Sequence, residues 1–266
     1  MAKIKTPMAY YGGKQMMLRH ILPLIPEHRI YVEPFFGGGA VFWAKEKAEV
    51  EVINDSNAWV ITFFRVLKDP AKFARLRQKL NETLHSRLLY AKAKEVLLRT
   101  GESDDVEIAW ALWVQTQMSF SKGIFKGWGY ARKGSGGGAV STTNHKIEAF
   151  SETLCARLRG TYIENNDALK VINTWDDEGS FFYCDPPYFN SEMGYYKNYT
   201  EEDFIKLLDR LCTINGKFLL SSYPCEILAG YVKKKNWKMC EFKKTVAVNG
   251  KRKSPKVKTE CLVRNY

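Results

Sequence analysis

The chain has 266 residues, 45% of them hydrophobic, and a formal net charge of +12, enough for one sizeable domain or a domain carrying a large insert. No apolar run approaches the length of a membrane-spanning helix, and the first seven residues, Met1 to Pro7, lack the apolar core of a signal peptide. The six cysteines and four histidines are scattered, with no Cys-x-x-Cys pair, which argues against a disulfide framework or a structural zinc site. A cytoplasmic protein without a metal is expected. The charge is uneven: residues 59–150 carry 15 basic and 8 acidic side chains, and residues 231–266 carry 12 and 2. On charge alone a lysine-rich solvated surface is the simpler account. The strand-like pattern of the tail, with aromatics nearby, favours a polyanion, and specifically nucleic acid, as partner.

In chain order, Met16 to Leu24 has helical apolar spacing and ends before Pro26. Arg29 to Glu33 reads as a strand, Phe36 to Gly39 as a turn, Ala40 to Lys47 as a helix and Val50 to Ile53 as a second strand closed by Asn54-Asp55. This β-loop-α-β order belongs to parallel sheets. From Trp59 to about Lys122 the apolar positions recur at three to four residues, so this stretch is read as mostly helical. Ser121 to Lys146, with its Gly134 to Gly138 run, is read as a flexible loop or hairpin. Alternation resumes with a helix over Ser151–Leu158, a strand over Thr161–Glu164 leading to Asn166-Asp167, a helix over Ala168–Trp175 and a strand over Ser180–Cys184. Thr200 to Thr213 is a helix with Thr200 as N-cap and Asp203 three residues on. Gly216 to Ser222 is a strand. Lys238 to Val248 and Lys256 to Tyr266 form a terminal hairpin around Asn249-Gly250. The expected plan is α/β, with residues 1–58 and 151–266 as one domain and 59–150 as an insert.

Four residues, Asp185-Pro186-Pro187-Tyr188, stand where a strand ends, which is where ligands sit in open α/β sheets. The two prolines remove two backbone donors and fix φ. What remains is a stiff loop of outward acceptors flanked by a carboxylate and a ring, suited to a planar amino group. Glu33-Pro34-Phe35-Phe36-Gly37-Gly38-Gly39 places glycines between a strand and a helix, and Asp55 lies at the spacing of a ribose-binding acid. The pair points to a nucleoside cofactor and does not separate a dinucleotide from S-adenosylmethionine. In Tyr10-Tyr11-Gly12-Gly13-Lys14 no Ser or Thr follows the lysine and no strand precedes it, so a phosphate loop is rejected. Its lysine and aromatic could meet a carboxylate and an adenine. Asp167 alone reads as a helix N-cap; with Asp185 it reads as part of a polar crevice. Pro224-Cys225 is read as an ordinary turn before a helix rather than a nucleophile.

Taken in order, Tyr10 with Gly-Gly-Lys14, Glu33 to Gly39, Asn54-Asp55, Asp167 and Asp185-Pro-Pro-Tyr188 resemble the Dam-like (D12 class) DNA adenine-N6 methyltransferases. Some of that family carry Trp where this chain has Tyr10. The resemblance implies a Rossmann-like S-adenosylmethionine-dependent methyltransferase fold, with a mostly helical target-recognition insert over 59–150 and a C-terminal β-hairpin. It implies that Tyr10, Lys14, Glu33, Phe35, Gly37, Gly39, Asp55, Asp167 and Asp185 surround S-adenosylmethionine, and that Asp185, Pro186, Pro187 and Tyr188 carry catalysis on a flipped adenine. Lys122, Lys126, Arg132, Lys133, Lys251, Arg252 and Lys253 are the expected contacts to double-stranded DNA. Loop 190–199, with Tyr195, Tyr196 and Tyr199, is a candidate cover for the base. A monomer, encoded by a bacterium or phage and acting separately from any cognate restriction endonuclease, is implied. Competing readings are a cytosine-N4 or RNA methyltransferase, a nicotinamide oxidoreductase and a catalytically inactive DNA-binding protein.

Overall fold

The structure is a computed structural model that describes residues 4–99, 101, 103–130, 138–189, 199–246 and 256–266. Its elements are α1 (Leu18–Ile21), a 3₁₀ turn (Leu22–Leu24), β1 (Ile30–Glu33), α2 (Ala40–Ala44), β2 (Val50–Asn54), α3 (Ala58–Lys68), α4 (Pro70–Asn81), α5 (Arg87–Leu98), α6 (Asp105–Gln117), α7 (Ala139–Glu148) and α8 (Glu152–Leu158). There follow β3 (Tyr162–Glu164), α9 (Ala168–Thr174), β4 (Ser180–Cys184), α10 (Glu201–Leu211), β5 (Lys217–Ser222), α11 (Glu226–Lys235), β6 (Lys238–Val246) and β7 (Lys256–Arg264). The strands form one seven-stranded sheet in the order β3-β2-β1-β4-β5-β7-β6. β1, β4 and β5 run parallel, and β7 is antiparallel to both β5 and β6. This is the α/β, Rossmann-like plan with a terminal antiparallel hairpin. Its strand order reverses at β1 and β4, the switch point outside whose carboxyl ends such sheets bind ligands.

The chain divides into two compact units. Unit 1 comprises Met1–Leu22, Phe36–Lys47 and Ile53–Asn166; unit 2 comprises Pro23–Phe35, Ala48–Val52 and Asp167–Tyr266. The helical stretch over 59–150 lies within unit 1. At its centre is α6, buried on every side from Ala109 through Gln117, where it packs against α3, α4 and α5. Its neighbours start on clean signals. Asn57 caps α3, and Asp69 caps α4 with Pro70 at the first helical position.

Unit 2 is built on β4, whose five residues are all buried, as expected of a strand covered on both faces. Val32 pairs with Phe182, and Phe182 with Phe218. These side chains join Ile172, Phe204, Leu208 and Leu228 in one core. α10 presents Phe204, Leu207, Leu208 and Leu211 to that core, an i, i+3, i+4, i+7 stripe. Its start is the predicted capping box: Thr200 accepts from the Asp203 backbone and Asp203 accepts from that of Thr200. Cys225 precedes α11 as its N-cap residue, with its side chain against the core, as read from the sequence.

Two expectations need correction. The helix read over Met16–Leu24 is one short turn followed by a 3₁₀ turn, because Pro23 has no N–H to continue an α pattern. The loop read over Ser121–Lys146 is partly helix. Ser119 and Trp128 do form an antiparallel bridge around a small hairpin, but α7 begins at Ala139, directly after Gly138. Thr143 in α7 is fully buried and donates to the Ala139 carbonyl at 2.8 Å. The glycine run obscured a helix that tertiary burial stabilises. The Asn249-Gly250 turn lies outside the described residues.

Candidate active site

In unit 1 the chain leaves β1 through a glycine turn and comes straight back to β2. The Phe36 N–H donates to the Asn54 carbonyl at 2.8 Å. Gly37 and Gly39 have φ of +48° and +64°, the left-handed region that side chains of L-residues disfavour. The space a side chain would need is filled. A Cβ on Gly37 would stand 2.9 Å from the Tyr10 ring, and one on Gly39 would stand 2.3 Å from the Phe36 ring. Tyr10 therefore lies directly on the turn. Asp55, just past β2, clamps it: one carboxylate oxygen accepts the Gly37 N–H at 2.8 Å, the other the Asn57 N–H at 2.8 Å. Burial raises the Asp55 pKa, and those two hydrogen bonds pull it back. Each Asp55 oxygen keeps capacity for a second donor, such as a sugar hydroxyl. Lys14 is buried, and its ammonium donates to the Gly12 carbonyl at 3.1 Å. Asn54 grips Asn166 twice, donating to its carbonyl at 3.1 Å and accepting its N–H at 2.8 Å. That grip ties the end of β2 to the segment after β3.

In unit 2 the carboxyl ends of β1 and β4 bring acids and phenols together. Tyr31 donates to the buried Glu33 carboxylate at 2.7 Å. Burial, and then the Glu33 charge, push the Tyr31 phenol well above its usual range. After β4 comes Asp185-Pro186-Pro187-Tyr188. The Tyr188 hydroxyl lies 3.2 Å from an Asp185 oxygen, 3.2 Å from the Ser221 hydroxyl and 3.0 Å from a Glu260 oxygen. Burial, followed by the charges of Asp185 and Glu260, raises this phenol's pKa strongly, so it keeps its proton. The Tyr188 ring meets that of Tyr223 at 4.4 Å between centroids, tilted by 58°. Lys258 stands over the Tyr223 ring, 5.2 Å from its centroid. The Tyr199 hydroxyl is buried with no hydrogen-bond partner among the described residues, and the Tyr199 ring meets Phe35 edge-on at 6.3 Å.

The sequence-predicted residues thus fall into two groups. Tyr10, Lys14, Gly37, Gly39 and Asp55 gather in unit 1. Glu33, Phe35, Asp167 and the loop from Asp185 to Tyr188 belong to unit 2. Asp167 is the N-cap of α9 and accepts the Leu169 and Lys170 N–H groups at 3.0 and 3.2 Å. Lys122 is partly buried and donates to the Gln117 carbonyl at 2.6 Å, and burial lowers its pKa. Lys126 is exposed. Arg132, Lys133, Tyr195, Tyr196, Lys251, Arg252 and Lys253 lie outside the described residues. Sequence reasoning missed Tyr31, Ser221, Tyr223 and Glu260. Glu260 had left a signal: it is one of only two acids among residues 231–266. Among the described residues no group of three or more His, Cys, Asp or Glu is placed to hold a metal ion, and no helix is long and apolar enough to cross a membrane.

Comparison with known proteins points the same way. Residues 10–248 match the family model described as D12 class N6 adenine-specific DNA methyltransferase. The chain is 30% identical to the type II methyltransferase M1.LlaDCHI of Lactococcus lactis subsp. cremoris, over 96% of this chain and 93% of that one. It is 28% identical to the DNA N-6-adenine-methyltransferase of Escherichia phage P1, over 73% of this chain and 25% of the phage protein. It is 22% identical to the type II methyltransferase M.CviBI of Paramecium bursaria Chlorella virus NC1A, over 90% of this chain and 92% of the viral one.

Proposed function

Because the chain belongs to the D12 class of N6 adenine-specific DNA methyltransferases, we propose that its Asp185–Tyr188 loop takes the adenine amino group and its glycine turn takes the nucleoside of S-adenosylmethionine. The donor and acceptor set fits that cofactor. Gly37 and Gly39 allow the positive φ of a turn that packs closely on the Tyr10 and Phe36 rings. Asp55 has acceptor capacity for the ribose hydroxyls, and Lys14 supplies a cation for the amino-acid carboxylate. Tyr10 offers a ring beside the turn, with Glu33 and Phe35 flanking it in sequence and Asp167 assigned to the adenosine. When bound, the cofactor supplies an electrophilic methyl group on a sulfonium.

The residues of the loop do the rest. An adenine in a duplex must leave the stack before its amino group can be reached. The Tyr188 ring stacks on the extruded base, worth about 1–3 kcal/mol and so comparable with the unstacking cost. The Asp185 carboxylate and the Pro186 carbonyl accept the two N6 hydrogens. That draws the nitrogen toward a tetrahedral geometry and frees its lone pair from the ring for in-line attack. Fixed dipoles and positioning carry the rate. The observation that carries this reading is the loop's place: an acceptor-rich, donor-poor turn directly after β4 at the switch point, with the Tyr188 hydroxyl 3.2 Å from an Asp185 oxygen.

Residues 59–150 are proposed as the target-recognition region and 1–58 with 151–266 as the catalytic domain. Lys122, Lys126, Arg132, Lys133, Lys251, Arg252 and Lys253 are proposed to meet the phosphates of a duplex. The enzyme is proposed to act as a monomer, apart from any cognate endonuclease, in a bacterial or phage-infected cytoplasm. The test is expression in methylation-free cells with mass spectrometry of the DNA bases. N6-methyladenine is expected; N4-methylcytosine or no methylated base refutes the reading. Calorimetry should show binding of S-adenosylmethionine and none of NAD. Asp185→Ala should lower turnover by at least about a hundredfold, the scale for loss of one preorganised polar group; near-normal turnover refutes the mechanism.

A further inference from the structure

A phenol has one hydrogen to donate, yet the Tyr188 hydroxyl has three oxygens within reach, and the nearest belongs to Glu260 at 3.0 Å. We propose that Glu260 is a positioning residue for methyl transfer: its carboxylate takes the Tyr188 hydrogen and so holds the Tyr188 ring in one rotation for the adenine.

The placement of Glu260 supports this. It is 5% exposed and is followed in β7 by the buried Cys261, Leu262 and Val263. A carboxylate in such surroundings is costly unless hydrogen-bonded, so packing alone gives no reason for an acid there. Strand alternation puts Glu260 on the same side of β7 as Leu262. Leu262 is the register partner of Ser221, the third group on the Tyr188 hydroxyl. The antiparallel return of β7 therefore delivers the acid to the loop after β4. Unit 2 uses the same device at the end of β1, where Tyr31 donates to the buried Glu33 at 2.7 Å.

The inference rests on the reading of the Asp185–Tyr188 loop as the amino-group site, and a double-mutant cycle tests it. With Glu260→Ala, kcat should fall about thirtyfold, which is about 2 kcal/mol at 1.36 kcal/mol per decade. The KM for DNA and the Kd for S-adenosylmethionine should stay within about twofold, because the rotation of the Tyr188 ring bears on the alignment of the base for the chemical step. In a Tyr188→Phe background the same substitution should change kcat less than about threefold, since the hydroxyl it acts through is gone. Equal losses in both backgrounds would mean that Glu260 merely supports β7, and would overturn the inference. Glu260→Gln keeps an uncharged acceptor and should lose less than the alanine variant. If the alanine variant fails to fold, the cycle run with glutamine decides the case by the same criterion. A wild-type chain that makes no N6-methyladenine sinks the reading of the loop; an active wild type with an additive cycle sinks only the role of Glu260.

Discussion

Gly39→Ala should destabilise the glycine turn by about 2–5 kcal/mol, and the structure supplies both parts of that figure. At φ +64° a side chain costs about 1–2 kcal/mol in backbone strain. The new methyl would then stand 2.3, 2.6 and 2.9 Å from three atoms of the Phe36 ring. That ring is 3% exposed, with Phe42 and Phe64 packed edge-on at 5.5 and 4.7 Å, so it cannot swing away, and overpacking adds about 1–3 kcal/mol. Gly37→Ala carries the same strain at φ +48° but meets the half-buried Tyr10 ring at 2.9 Å. Tyr10 can turn, so a smaller loss of about 1–3 kcal/mol is expected. Gly230 is the control. It is exposed in α11 with nothing within 4 Å of a Cβ, and alanine there should stabilise by about 0.5–1 kcal/mol through helix propensity. Urea unfolding followed by tryptophan fluorescence reads all three, compared at a common m-value. If Gly39→Ala is neutral, or shifts the midpoint in the same direction as Gly230→Ala, the argument from filled space is wrong.

Three further outcomes are expected. Burial first, then the charges of Lys5 and Lys122, depress the Lys146 pKa to about 8. Between that value and the unfolded lysine value of about 10.4 the unfolded chain binds more protons, so stability from this group rises with pH across that window; Lys146→Met should remove the rise from a plot of unfolding free energy against pH. Thr200→Ala breaks the capping box of α10 and should lower the unfolding free energy by about 1 kcal/mol, read by urea titration; no shift would mean that the cap contributes nothing. DNA affinity should fall steeply with salt, and neutralising one phosphate-contacting lysine, such as Lys126→Gln, should reduce the slope of log K against log salt by about 1 while affecting all sequences alike; an unchanged slope in filter-binding titrations would remove Lys126 from the contact set.

Much of the plan was legible because its signals are local. The strand-like runs of β4 and β5, the caps at Asp167 and Thr200, and the glycines after β1 each act within a few residues. They placed the seven strands and α2, α8, α9 and α10 within a turn or so of their observed bounds. The local signal failed at α7, where glycine-rich chain leads into a helix held by the burial of Thr143. It also failed at Met16–Leu24, where a proline overrode the apolar spacing.

The candidate site divides in the same way. Sequence by itself determined which residues end the strands: Glu33 at the end of β1, Asp55 after β2, and the stiff Asp-Pro-Pro-Tyr loop after β4. Those positions follow from where a strand pattern stops. Tertiary structure alone decided what those residues touch. Asp55 meets the Gly37 N–H across 18 positions of sequence, and Glu260 reaches the Tyr188 hydroxyl across 72. The first contact depends on the return of the chain from α2 into β2, and the second on the register of an antiparallel strand against β5. A one-residue slip of β7 would turn Glu260 to the other face, and no pattern around residue 260 records that register.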